Sequence, residues 1–181
     1  MKKDMAKASI IGNFVIFQLL WLAAVLGAAE GFQWLGLGAL VVLLAWSWFC
    51  RADMAADRRI IGYGLTLGIA FELLLIGSGL IRYELQWWAA MPPIWILCLW
   101  AGFAQTLNHS LAWLKNRLSL AAVFGAVGSV MSMYAGIRFG AAQAPEGLQP
   151  LLVVYALGWS MMVPALVWLA GRSTSPATEA A

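Results

Sequence analysis

The sequence predicts an all-α polytopic membrane protein, a bundle of six transmembrane helices joined by short loops. Three observations carry that expectation. Hydrophobic residues fill 63% of the 181 positions and charged residues 10%, with a mean hydropathy of +0.83. A soluble domain is about half apolar and a quarter charged. The apolar residues gather into runs close to the roughly 20 residues that a membrane helix needs. Lys and Arg are abundant in alternate segments between those runs and scarce in the others. Together these exclude a water-soluble enzyme, a disordered chain and a disulfide-stapled secreted domain. With the spans placed, no stretch is left for a soluble domain. Residues 1–172 therefore read as one transmembrane domain and 173–181 as a small, polar, disordered tail.

The first run is Ile10 to Ala29. The preceding Lys2, Lys3 and Lys7 give it the outline of a secretory signal peptide. It exceeds the roughly 7–15 apolar residues of such a peptide and holds Asn13 and Gln18, so an uncleaved span is expected. The second run is Phe32 to Phe49, and the third, Ile60 to Ile81, is broken only by Glu72. The fourth, Pro92 to Leu114, opens on two prolines, where a missing N–H costs nothing. The fifth is Leu118 to Ala141. The sixth, Pro150 to Ala170, contains Pro164 and is expected to kink.

Nine of the eleven basic residues fall on one side of this arrangement: Lys2, Lys3, Lys7, Arg51, Arg58, Arg59, Lys115, Arg117 and Arg172. Arg82 and Arg138 fall on the other. The positive-inside rule then puts both termini in the cytoplasm. The net charge of +3 is a topology signal on this reading, and no nucleic-acid partner is expected. Trp34, Trp87 and Trp88 are expected at the outer interface, and Trp46, Trp48 and Trp113 at the inner one.

Intramembrane polar groups are costly and usually mark function. Glu72 stands out, twelve residues into the third run and so near the bilayer centre. It suits a proton relay, a cation site or a general acid or base; the structural alternative is a protonated carboxyl bonded to a neighbouring helix. On the fourth run Gln105 and His109 share a helix face at i, i+4, with Asn108 beside them. Asn13 and Gln18 on the antiparallel first run match their depth at about 1.5 Å per residue. A polar cluster of Asn13, Gln18, Glu72, Gln105, Asn108 and His109 is the candidate site, and interhelical glue is its bland alternative. Ser110 adjoins His109 in sequence and points elsewhere on the helix, so a nucleophilic triad is not expected.

No cofactor and no metal site is expected. One histidine and two scattered cysteines, Cys50 and Cys98, do not make a zinc set, and their depths differ too much for a disulfide. Small residues recur every four positions at Ala121, Gly125 and Ser129, at Ser132, Gly136 and Gly140, and at Gly64 and Gly68. They are surfaces for close helix packing, within the chain, in a homodimer or with another protein. Membrane lipids are the other expected partner.

Two segments carry a resemblance. One is Asn13, Phe14, Phe17, Gln18 and Trp21. The other runs from Pro93 through Trp95, Trp100, Phe103, Thr106, Leu107, Asn108, His109, Ser110 and Trp113 to Leu114. With these the chain resembles a family of small bacterial inner-membrane proteins of unknown function. The resemblance implies a multi-pass protein of the Gram-negative inner membrane. It implies a lipid-related role through gene neighbours of the cyclopropane-fatty-acid-synthase type, and it assigns no catalytic residue. Three functions stay open: an accessory factor in membrane-lipid modification, a membrane-embedded lipid enzyme, and a small proton-coupled transporter. Whether the protein is an enzyme is left undecided.

Overall fold

The computed structural model describes residues 2–50 and 52–173, with side chains from 7 to 50 and from 52 to 172. The predicted 173–181 tail lies outside the described residues, apart from the backbone of Ser173. Six α-helices run in order: α1 (Lys2–Ala29), α2 (Trp34–Phe49), α3 (Met54–Gly77), α4 (Ile94–Thr106), α5 (Leu118–Arg138) and α6 (Leu148–Ser173). A two-residue ribbon joins β1 (Arg82–Tyr83) to β2 (Ala142–Gln143), antiparallel, with Arg82 opposite Gln143 and Tyr83 opposite Ala142. The short outer loops predicted from sequence thus hold a ribbon that periodicity did not signal.

Among the described residues, four helices are long and apolar enough to cross a membrane: α3, α5, the Lys7–Ala29 part of α1 and the Leu148–Arg172 part of α6. Large apolar side chains cover the outside, among them Leu74, Met131 and Met161. This is the build of a membrane protein. The other two helices are shorter, α2 with 16 residues and α4 with 13.

The boundaries move for local reasons. α1 starts well before Ile10, because Lys, Met and Ala are good helix formers and the charges that end the apolar run do not end the helix. α3 starts at Met54 because Asp53 caps it, its carboxylate accepting from the backbone of Ala55 and Ala56 at 3.0 Å each. It stops at Gly77, ahead of Gly79 with φ +75°, and does not reach Ile81. The fourth run does not stay helical to Leu114. After Thr106 the backbone tightens into i to i+3 bonds, Asn108 to Gln105 and His109 to Thr106, and then a 3-10 turn, Ala112–Leu114. The side chains of Asn108, His109 and Ser110 find partners on other helices there, which offsets the lost helical bonds.

The helices pack as hairpins around α4. α1 pairs with α2, α3 with α4 and α5 with α6, while α4 also touches α1 and α2, and α3 touches α6. Small residues set the close approaches. A Cβ on Gly64 would lie 2.5 Å from the Ala104 Cβ, and one on Gly68 would lie 2.4 Å from the Trp100 ring. A Cβ on Gly125 would meet the Trp159 carbonyl oxygen at 2.4 Å. These small-residue faces are therefore occupied inside the chain.

Gly125→Ala is expected to destabilise the protein by about 1–3 kcal/mol, since backbone must move to admit the methyl group. Gly128→Ala, one turn on, has open space around its Cβ. It is expected to be neutral or to stabilise by up to about 1 kcal/mol. Thermal unfolding of both variants in detergent checks this; equal losses would show that the α5–α6 contact does not require a glycine.

Candidate functional site

Glu72 is buried, on the last turns of α3, and three elements converge on it. Trp100 of α4 donates Nε1–H to Glu72 Oε1 at 3.0 Å. Tyr83 of β1 donates its hydroxyl to Glu72 Oε2 at 2.6 Å, and the Tyr83 and Tyr155 hydroxyl oxygens are 2.7 Å apart. Both carboxyl oxygens of Glu72 thus accept a hydrogen bond. Aromatic packing holds the donors in place. Trp100 stacks on Trp159 at 4.5 Å, and Phe71 meets Tyr155 edge-on at 5.4 Å. The ribbon register and Gln86, whose Oε1 accepts from the Tyr83 backbone N–H at 3.1 Å, fix Tyr83. Glu72 therefore lies near the ribbon end of α3, whose last residue is Gly77.

Beside this carboxylate is a cavity of about 510 Å³ between α1, α4, α5 and α6. Glu72, Tyr83 and Tyr155 form its polar end, and aromatic and aliphatic side chains such as Trp95, Leu99 and Phe103 line the rest. Its mouth is the seam between α1 and α5. Gln18, Phe124 and Met131 stand exposed there. Trp21 straps the seam, donating Nε1–H to Ser132 Oγ at 2.7 Å.

A second polar cluster lies at the opposite end of α3. Asp57 is buried in the first turns of that helix. Its Oδ2 lies 2.8 Å from His109 Nε2, and its Oδ1 accepts from Asn108 Nδ2 at 2.9 Å. Lys115 Nζ donates to Asn108 Oδ1 at 3.0 Å. Burial pulls the Lys115 ammonium below its usual range, and the nearby Asp57 carboxylate opposes that pull only in part. The cluster clasps the start of α3 to the turns after α4.

Residues 10–165 match a family described as a protein of unknown function, DUF2878. The chain belongs to the DUF2878 family. No curated protein and no solved structure matches it. The DUF2878 match spans both polar clusters and every residue lining the cavity.

The six residues singled out from sequence do not share one cavity. Gln18 and Glu72 line the cavity just described. Asn108 and His109 belong to the Asp57 cluster. Asn13 accepts from both the backbone N–H and the hydroxyl of Ser110, at 3.3 and 2.7 Å. Gln105 donates to Ser47 Oγ at 2.7 Å. Sequence reasoning passed over Asp57, Tyr83, Trp100 and Tyr155. A signal for Asp57 exists: Asp57, Ile60, Gly64, Gly68 and Glu72 follow helical spacing on the buried face of α3.

Asp57→Ala leaves His109 and Asn108 without their acceptor and is expected to destabilise by about 1–3 kcal/mol. Asp57→Asn keeps an acceptor oxygen and is expected to lose less. Unfolding in detergent measures both, and an Asp57→Ala variant as stable as wild type would show that the clasp is dispensable.

Proposed function

We propose that this protein holds a single hydrocarbon chain of a membrane lipid in the cavity beside Glu72, as an accessory factor in membrane-lipid modification. The cavity's shape carries the reading. It follows α5 from Phe124 to Gly136 and α1 from Phe17 to Val25, about 12–18 Å at 1.5 Å per residue. Its volume of about 510 Å³ then gives a mean cross-section of about 30–40 Å² over that length. Ligand pockets of about 300–1,000 Å³ with apolar walls and a few polar groups suit small organic ligands. This one is slender and opens sideways at a seam whose exposed side chains, Phe124 and Met131, are apolar. A lipid chain can enter there without crossing water.

The same reading places the protein in a bacterial inner membrane with six spans and both termini in the cytoplasm. The split of basic residues supports the orientation. The short helices lie alongside long ones for most of their length. α2 follows α1 from Gly36 beside Ala24 to Trp46 beside Gly12, and α4 follows α3 from Trp100 beside Gly68 to Ala104 beside Gly64. On this reading α2 and α4 cross the membrane beside their longer neighbours. The transporter reading has one observation in its favour, the continuous hydroxyl path from Glu72 through Tyr83 to Tyr155.

Gly128 and Gly136 line the cavity, and a Cβ at either position meets nothing within 4 Å. Gly136 is buried, so Gly136→Leu projects into the cavity without disturbing backbone, while Gly128 is exposed at the cavity's edge, where Gly128→Leu obstructs it. Wild-type protein purified in mild detergent is expected to carry a lipid, read by mass spectrometry of its organic extract, and each leucine variant to carry several-fold less. In a deletion strain the acyl-chain profile is expected to change, wild type to restore it, and Gly136→Leu to fail at equal expression. A wild-type protein free of lipid, or leucine variants that retain it fully, would overturn the proposal.

A further inference from the structure

The face of α1 that turns away from the Glu72 cavity borders a second hollow. Phe17, Trp21 and Val25 line the cavity. Leu19, Ala23 and Leu26, on the far side of the helix at about 100° per residue, line a groove of about 580 Å³ between α1 and α2. Small residues, Ala23, Gly27 and Ala39, sit in it among the exposed side chains of Leu19, Phe32 and Val42. The groove follows α1 from Ile16 to Glu30 and α2 from Leu35 to Val42, about 10–21 Å at 1.5 Å per residue. Half of a roughly 30 Å hydrocarbon core is about 15 Å, so the groove has the length of the acyl chains of one leaflet.

One end of the groove differs from the rest. Glu30 is the charged residue in its lining. It is exposed, and among the described residues its side chain has no hydrogen bond or ion pair. No Lys or Arg lines the groove or stands between Ala29 and Trp34. At the same turn Trp34 meets Trp87 edge-on at 6.1 Å and Trp87 meets Trp88 at 6.4 Å, all three rings exposed. Exposed tryptophans gather at the headgroup level of a bilayer. An apolar trough one leaflet long therefore ends, at headgroup level, in an unpaired carboxylate. We infer that the groove holds a phospholipid whose headgroup carries a primary ammonium, with that ammonium on Glu30 and an acyl chain along the trough. An ammonium donates a charge-assisted bond to a carboxylate. A trimethylated ammonium has no N–H to donate, and a headgroup with net negative charge is repelled.

The test presents the full chain in detergent with equal amounts of phosphatidylethanolamine, phosphatidylcholine and phosphatidylglycerol of the same acyl composition, and native mass spectrometry counts the lipids retained. Phosphatidylethanolamine is expected to be retained at least threefold more than either of the others. Glu30→Gln, at an exposed position, is expected to bring it down to the level of phosphatidylcholine. Ala23→Leu is expected to lower retention of all three, with thermal unfolding reporting the fold. Equal retention of the three lipids by wild type, or a preference that Glu30→Gln leaves intact, would overturn the inference. A preference that survives Ala23→Leu and is abolished by Gly136→Leu would move the lipid to the Glu72 cavity and overturn it too. A two-chain species that Ala23→Leu dissociates would give the groove to a second copy, against the inference.

Discussion

A carboxylate inside an apolar helix must be satisfied by its neighbours, and the arrangement of this bundle follows from how Glu72 is satisfied. Charge in a low-dielectric setting without partners is among the costliest features a membrane helix can carry. Here the partners arrive from α4, from the ribbon and through Tyr155 from α6. Each needs further structure behind it. Trp100 reaches Glu72 because Gly68 leaves room for its ring. Tyr83 reaches it because β1 pairs with β2. The loop after β1 adopts a conformation rare for its residue type, with Leu85 at φ 60° and the Gln86 side chain bonded back to the backbone at Tyr83. A polar group on one helix thus fixes three other elements.

The opposite end of α3 follows the same logic with different chemistry. Asp57 is buried too, yet it meets a histidine and an amide at the end of the bundle instead of aromatic donors inside it. The two acids bracket a face of small residues on which α4 lies, so α3 is pinned to α4 at both ends and pressed close in the middle. The α1–α2 hairpin rests on one side of this pair and the α5–α6 hairpin on the other. The cavity is the space left where those two hairpins face each other across α4.

The class of the protein was legible because bulk hydropathy and the distribution of charge are sums over many residues. Local events were harder to read. A hydropathy window cannot see that Asp53 starts a helix before the apolar run, or that the Asn108, His109 and Ser110 triplet gives up helical bonds for contacts with Asp57 and Asn13. Depth counting brought Asn13 to the turns after α4, while Glu72, twelve residues into the third apolar run, falls in the last turns of the third helix, because run and helix do not share endpoints. Tyr83, Trp100 and Tyr155 were passed over because aromatic residues are everywhere in this chain, and only tertiary packing distinguishes the two that touch the Glu72 carboxyl group and the third that bonds to Tyr83. Asp57 was hidden by its company: beside Arg58 and Arg59 it reads as part of a solvated linker.

Because the ribbon joins segments far apart in the chain, the Glu72 centre cannot be complete when Glu72 itself enters the membrane. Tyr83 follows Glu72 by 11 residues and Trp100 follows it by 28, so the carboxylate gains its two donors early in synthesis. Tyr155 comes 72 residues after Tyr83. At roughly 5–20 residues per second that is a delay of about 4–14 s. Over that interval β2 has yet to emerge or has only just done so, and Tyr83 stands on an unpaired strand. Biogenesis therefore builds this centre outward from its carboxyl group, with the last helix delivering the hydroxyl that closes the chain of bonds.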